Sequence, residues 1–120
     1  VAIGELYDVV FDCPEPDELA EFYRELIGGK ITDSDGWWTT LETPTGMRVS
    51  FQRVDDYEPP RWPGQEHPQQ VHLDVMVTSL TESEPLVLEL GATKLKGSRS
   101  KTGFRVYADP AGHPFCLVTN

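Results

Sequence analysis

The sequence predicts an α+β fold: two β-α-β-β-β modules related by internal pseudo-two-fold symmetry, with curved mixed sheets around a cleft. Three observations carry this expectation. Displaced by 64 positions without a gap, Glu25-Leu26-Ile27-Gly28-Gly29-Lys30-Ile31 lies over Glu89-Leu90-Gly91-Ala92-Thr93-Lys94-Leu95, and Val9, Phe11 and Phe51 lie over Leu73, Val75 and Phe115. A self-match of this kind marks a duplicated supersecondary unit. Each copy also holds one stretch with apolar residues at helical spacing, and around it several short extended stretches separated by Gly, Pro and Asp turns. With 120 residues the chain is one domain long, and half of it would bury too little surface to be stable alone. The expected organisation is a single domain over 1–120, with a first module over 1–54, a connector over 55–70 and a second module over 71–120.

The elements follow in order. Residues 7–12 alternate, with Tyr7, Val9 and Phe11 on one face and Asp8, Val10 and Asp12 on the other, which predicts a strand. Cys13-Pro14-Glu15-Pro16-Asp17 ends it, and Pro16 with acidic neighbours suits the first turn of a helix. Leu19, Phe22, Tyr23, Leu26 and Ile27 give that helix its apolar stripe, and Gly28-Gly29 ends it. Strands are predicted over 30–33, 37–42 and 47–54, joined by turns at Ser34-Asp35-Gly36 and Pro44-Thr45-Gly46. Residues 55–70, with Glu58-Pro59-Pro60-Arg61-Trp62-Pro63-Gly64, carry too much proline for a regular element. The second module repeats the plan: a strand over 71–77, a helix within 81–90 that Pro85 weakens, a strand over 92–95, a Gly/Ser/Lys-rich loop through Thr102, and strands over 103–108 and 113–118 around the turn Asp109-Pro110-Ala111-Gly112.

Composition limits the function. Twenty acidic residues against ten basic give a net charge of −10, which removes the electrostatic attraction that nucleic-acid binding depends on. No run approaches the ~18 apolar residues that span a bilayer, and the start of the sequence has neither a basic patch nor an apolar signal run. The expectations are no nucleic acid, no membrane and a cytoplasmic protein. Cys13 and Cys116 occupy non-equivalent places and form no CxxC, so both are read as reduced thiols. No GxSxG elbow, phosphate-cradling glycine loop or HExxH helix is present. The sequence assigns no catalytic residue.

Strand alternation selects the residues turned away from the helices. The first strand presents Asp8 there, and its copy presents His72. The fourth strand sets Met47, Val49 and Phe51 toward the helix, leaving Arg48, Ser50 and Gln52 opposite; the copy of Gln52 is Cys116. Asp8, Gln52, His72 and Cys116 thus form two symmetry-related pairs with hydrogen-bonding or metal-ligating chemistry on the concave face. Trp37 and Trp38 must face opposite ways, and Trp38, which shares parity with Glu42, is assigned to the cleft while Trp37 is assigned beneath the helix. Arg48 either clamps a carboxylate or phosphate of a ligand or pairs with Glu42. Trp62 either covers the cleft or anchors its loop. His113 helps shape the turn before it.

The paired modules, Glu18-Leu19-Ala20-Glu21-Phe22-Tyr23 before Gly28, Val71-His72-Leu73-Asp74-Val75, and the closing segment from Tyr107-Ala108-Asp109-Pro110-Ala111-Gly112 to Val118 resemble the vicinal oxygen chelate superfamily. That superfamily includes glyoxalase I, bleomycin-resistance proteins and extradiol dioxygenases, and the sequence is most similar to its small bacterial glyoxalase-like members. The resemblance implies metal ligands, in metal-dependent members, from the first and fourth strands of each half. Here those positions hold Asp8, Gln52, His72 and Cys116. Cys116 departs from the pattern, standing where a glutamate is expected.

Two functions are carried forward. The first is binding of a small organic molecule in an aromatic-lined cleft by Asp8, Trp38, Arg48, Gln52, His72 and Cys116, with no cofactor and no obligatory metal, in a homodimer that covers exposed sheet edges. The alternative is a metal-dependent lyase or isomerase of glyoxalase type, with a divalent ion on His72, Gln52 and Asp8 and with Asp8 or Asp74 moving the proton.

Overall fold

The computed structural model describes residues 2–95 and 103–119. The predicted loop from 96 through Thr102 lies outside them. The chain divides into two compact units, Val1–Tyr57 and Glu58–Asn120.

The first unit runs β1 (Val9–Cys13), α1 (Pro16–Ile27), β2 (Lys30–Ser34), β3 (Trp38–Glu42) and β4 (Arg48–Arg53). Its sheet has the order β1-β4-β3-β2, with β1 parallel to β4 and the other neighbours antiparallel. Pro16 opens α1, where a missing N–H costs nothing, and Asp17 and Glu18 follow in the first turn. Asp17 accepts from the Thr39 hydroxyl at 2.5 Å and from Ser34 at 2.7 Å, tying the helix start to β3 and β2. These bonds hold its carboxyl below the usual carboxylate range. The helix buries Leu19, Ala20, Phe22 and Tyr23. The Tyr23 ring stacks on Phe51 at 5.6 Å and on Phe11 at 6.2 Å, forming the unit's core with Leu41 and Val49. Gly29 is required where the helix turns into β2, because at φ 103° a Cβ would lie 2.2 Å from the Glu42 carbonyl oxygen.

Three apolar residues differ from the expected placement. Trp37 is 56% exposed rather than beneath the helix. Asp35 accepts from the backbone N–H groups of Trp37 and Trp38 at 2.9 and 2.8 Å, so Trp37 belongs to the turn before β3, where strand parity does not act. Its ring lies under the Arg53 guanidinium, 4.6 Å away. Met47 and Tyr7 likewise precede their strands and are exposed.

The second unit runs β5 (Leu73–Met76), α2 (Leu80–Leu90), β6 (Thr93–Lys94), β7 (Phe104–Ala108) and β8 (Pro114–Val118), in the sheet order β5-β8-β7-β6 with β5 parallel to β8. Ser79 caps α2 by accepting from the Glu82 N–H at 3.1 Å. The helix continues through Pro85 to Leu90 and closes on Gly91 at φ 117°. Tyr107 stacks on Phe115 at 5.7 Å, with Leu117, Val106 and Val87 buried. Beneath α2, Glu84 accepts from the Tyr107 hydroxyl at 2.7 Å and meets Lys94 and Arg105 at 3.2 Å each. Asp109, almost fully buried, accepts from the Ala111 and His113 N–H groups and faces His113 Nδ1 at 2.8 Å. His113 thus locks the turn. Residues 58–70, expected as a connector, cluster with this unit. There Pro59 packs so closely that a Cβ on Gly112 would lie 2.7 Å from its own Cβ.

Candidate functional site

The open faces of the two sheets are built by the same rule and hold different chemistry. In the first unit, α1 covers the side of β4 that carries Val49 and Phe51, leaving Arg48, Ser50 and Gln52 opposite. There the Trp38 Nε1–H donates to Thr40 Oγ1 at 2.9 Å, Thr40 Oγ1 lies 3.0 Å from Ser50 Oγ, and Ser50 donates to Asp8 Oδ2 at 2.8 Å. An indole N–H only donates and a carboxylate only accepts, so the direction of every hydroxyl hydrogen is fixed: Thr40 donates to Ser50, and Ser50 to Asp8. Thr40 and Ser50 are buried, and the chain holds Asp8 in one orientation.

Arg48 is placed opposite Glu42 in register, 3.8 Å from its carboxylate, and its guanidinium lies 4.6 Å above the Tyr7 ring. Gln52 is exposed and pairs with Asp12 on one side and Trp38 on the other. Asp8 precedes β1, whose register opens at Val9 opposite Val49, and its carboxylate reaches Ser50, two residues before Gln52 on β4.

In the second unit Leu73 pairs with Phe115 and Asp74 with Cys116. Relative to the duplicated sequence, this pairing is displaced by two residues from that of β1 and β4. The partners of β1 lie 40 positions on and those of β5 lie 42 positions on. An even displacement leaves every side chain on its own face but changes its neighbour. It brings His72, Asp74 and Cys116 together, with one donor atom of each within 4.8 Å of the others. His72 Nε2 lies 3.2 Å from Asp74 Oδ1. Burial, reinforced by the Asp74 carboxylate that accepts its S–H, pushes the Cys116 thiol up to about 11. It is a protonated thiol at neutral pH, which argues against a thiolate nucleophile.

These three side chains form one corner of a pocket of about 440 Å³ whose apolar wall includes Trp62, Phe104, Val106 and Val118. Gln69 also lines it, with a buried side-chain oxygen that has no hydrogen-bond partner among the described residues. The sequence-derived set contained His72 and Cys116 but not Asp74 as a ligand group, nor Phe104 and Gln69. The signal for Asp74 was present: it stands two residues after His72, on the same face. Phe104 could have been found from its parity with Val106. Gln69 lies in an irregular segment where no periodicity applies. Imidazole, carboxylate and a sulfur whose proton a dication would displace are together a donor set for a divalent ion of the zinc class.

The fold is shared by solved structures at low sequence identity. A glyoxalase/bleomycin resistance protein/dioxygenase family enzyme from Burkholderia phytofirmans superposes with TM-score 0.73 at 14% identity, covering 97% of this chain and 98% of its own. A possible glyoxalase from Bacillus cereus gives 0.71 at 11% identity, covering 98% and 99%. The fosfomycin resistance protein FosX from Listeria monocytogenes gives 0.67 at 13% identity, covering 99% and 95%. No curated protein matches the sequence significantly. No helix among the described residues is long and apolar enough to cross a membrane. The duplicated modules, their mixed sheets and a match of the glyoxalase-like domain to residues 8–118 agree, and the chain belongs to the glyoxalase-like family of the vicinal oxygen chelate superfamily.

Proposed function

We propose that the chain binds a small organic molecule in the pocket of its second unit, and that this binding has no obligatory metal. The observation that carries the reading is the union of an apolar wall, with Trp62 and Phe104, and a polar corner made by His72, Asp74 and Cys116 around about 440 Å³. Small-molecule sites have this size and division of labour, apolar surface supplying affinity and a few polar groups fixing orientation. The neighbours named for resistance to bleomycin and fosfomycin support it by fold analogy alone. In the first unit, Asp8, Trp38, Arg48 and Gln52 keep their proposed role as ligand-facing groups, Asp8 being the one held in a fixed orientation. A homodimer and a cytoplasmic location belong to the same proposal. Titrating the protein with soluble aromatic acids, amines and neutral aromatics while following tryptophan emission tests the binding. Saturable quenching that weakens on Phe104→Ala supports it, and no saturable response from any class overturns it.

A second reading, a metal-dependent lyase or isomerase, is favoured by the convergence of His72, Asp74 and Cys116. A divalent ion bound there would supply polarisation of a ligand oxygen. The chain's own part is to hold the ion on those three side chains and to exclude water with the Trp62 and Phe104 wall. Metal content after purification without added ions, and turnover of α-keto or hemithioacetal substrates with and without chelator, separate this reading from the first.

A further inference from the structure

We infer that His72, Asp74 and Cys116 of the second unit together hold a divalent ion, with Asp74 as a ligand in its own right. This differs from the set the resemblance implies, which draws two ligands from each half. It stands apart from which organic molecule the pocket takes and from whether turnover occurs.

The register of the second sheet carries the inference. Asp74 and Cys116 are direct neighbours on parallel strands, and His72, just before β5, lies beside them with its Nε2 3.2 Å from Asp74 Oδ1. The backbone alone therefore gathers an imidazole, a carboxylate and a sulfur donor, and their donor atoms lie within 4.8 Å of one another. Ligands at the usual Zn–N and Zn–S lengths sit about 3.5 Å apart in a tetrahedron, so side-chain rotations of roughly an ångström would close the group on an ion. A bound dication removes the thiol proton outright. In the first unit one oxygen of Asp8 is already held by Ser50 at 2.8 Å.

The donor chemistry gives the class of ion. One nitrogen, one carboxylate oxygen and one thiolate suit zinc and its close analogue cobalt(II) rather than magnesium or calcium, which take oxygen ligands. All three side chains line the pocket, so an ion held there would lie against a bound molecule, as in zinc sites that act on one. Asp74, once coordinated, is no longer free to move a proton.

Cobalt(II) is the direct probe, followed by near-ultraviolet absorption and by calorimetry on the full chain. The expected result is one equivalent of cobalt bound with thiolate-to-cobalt charge-transfer absorption, which Cys116→Ser abolishes and Cys13→Ser retains. Removing an outer-shell partner typically weakens metal binding about 10–100-fold, so Asp74→Asn and His72→Ala, as direct ligands, should cost at least that. Thermal melts of each variant establish that it is folded. Absence of saturable cobalt binding, binding without the thiolate band, or affinity unchanged in Asp74→Asn or His72→Ala would each overturn the inference.

Discussion

Asp74 and Cys116 face each other across the parallel β5–β8 pair, whereas the residues 64 positions before them, Val10 and Gln52, do not: Val10 pairs with Ser50, and Gln52 with Asp12. Two copies of one sequence pattern thus support two different polar groups. The first unit has a hydrogen-bond chain ending on Asp8, and the second has a three-donor corner on a pocket.

The chain from Trp38 to Asp8 depends on Ser50, which is wholly buried. Ser50→Ala leaves Thr40 without its acceptor and Asp8 without its donor, and a buried polar group deprived of its partner costs about 1–3 kcal/mol. The expected outcome is that loss in urea unfolding, with a changed Trp38 emission. Ser50→Thr, which keeps the hydroxyl, should restore the emission.

Pocket occupancy should depend on its aromatic wall. Trp62→Ala is expected to weaken the best quenching ligand about tenfold or more, as for a central aromatic contact. Trp37→Ala, outside the pocket, should not weaken it, and calorimetry checks both without relying on fluorescence.

Acid pH should weaken the attachment of α2. The Glu84 carboxyl is held below its ordinary value of 4.5, first by the Tyr107 hydroxyl and then by Lys94 and Arg105. Burial, with Glu84 beside it, pushes the Tyr107 phenol well above its usual range. Because the folded form binds the Glu84 proton less tightly than the unfolded chain, the stabilisation is complete above the unfolded value and is lost as pH falls through the lower folded value. Glu84→Gln should remove that part of the acid sensitivity in melts taken from neutral to acid pH.

Gly29 and Gly36 both have positive φ, but only Gly29 meets a backbone oxygen where a Cβ would stand. Gly36→Ala should cost about 1 kcal/mol from conformation alone. Gly29→Ala adds displacement of the Glu42 carbonyl and should cost at least about 2 kcal/mol more, measured as the difference in unfolding free energy.

Much of this architecture was legible in the linear pattern. The repeat, the helix ended by Gly28-Gly29 and the alternation of Val49, Ser50 and Phe51 gave two modules, their element order and the faces of β4 and β8. Strand ends were less legible. Trp37 reads as a strand residue by parity, yet the Asp35 side chain captures its N–H and places it in a turn. The pairing of Tyr107 with Glu84 spans 23 positions, and no local periodicity announces a contact of that range.

The order of side chains along the chain decided which residues face the helices and which face away, because a strand alternates with a period of two whatever its neighbours do. The folded structure alone decided the register. Displacing a strand by two residues keeps every apolar side chain on its buried face, so hydrophobic patterning cannot distinguish the two pairings. That choice places Cys116 beside Asp74 and Gln52 beside Asp12.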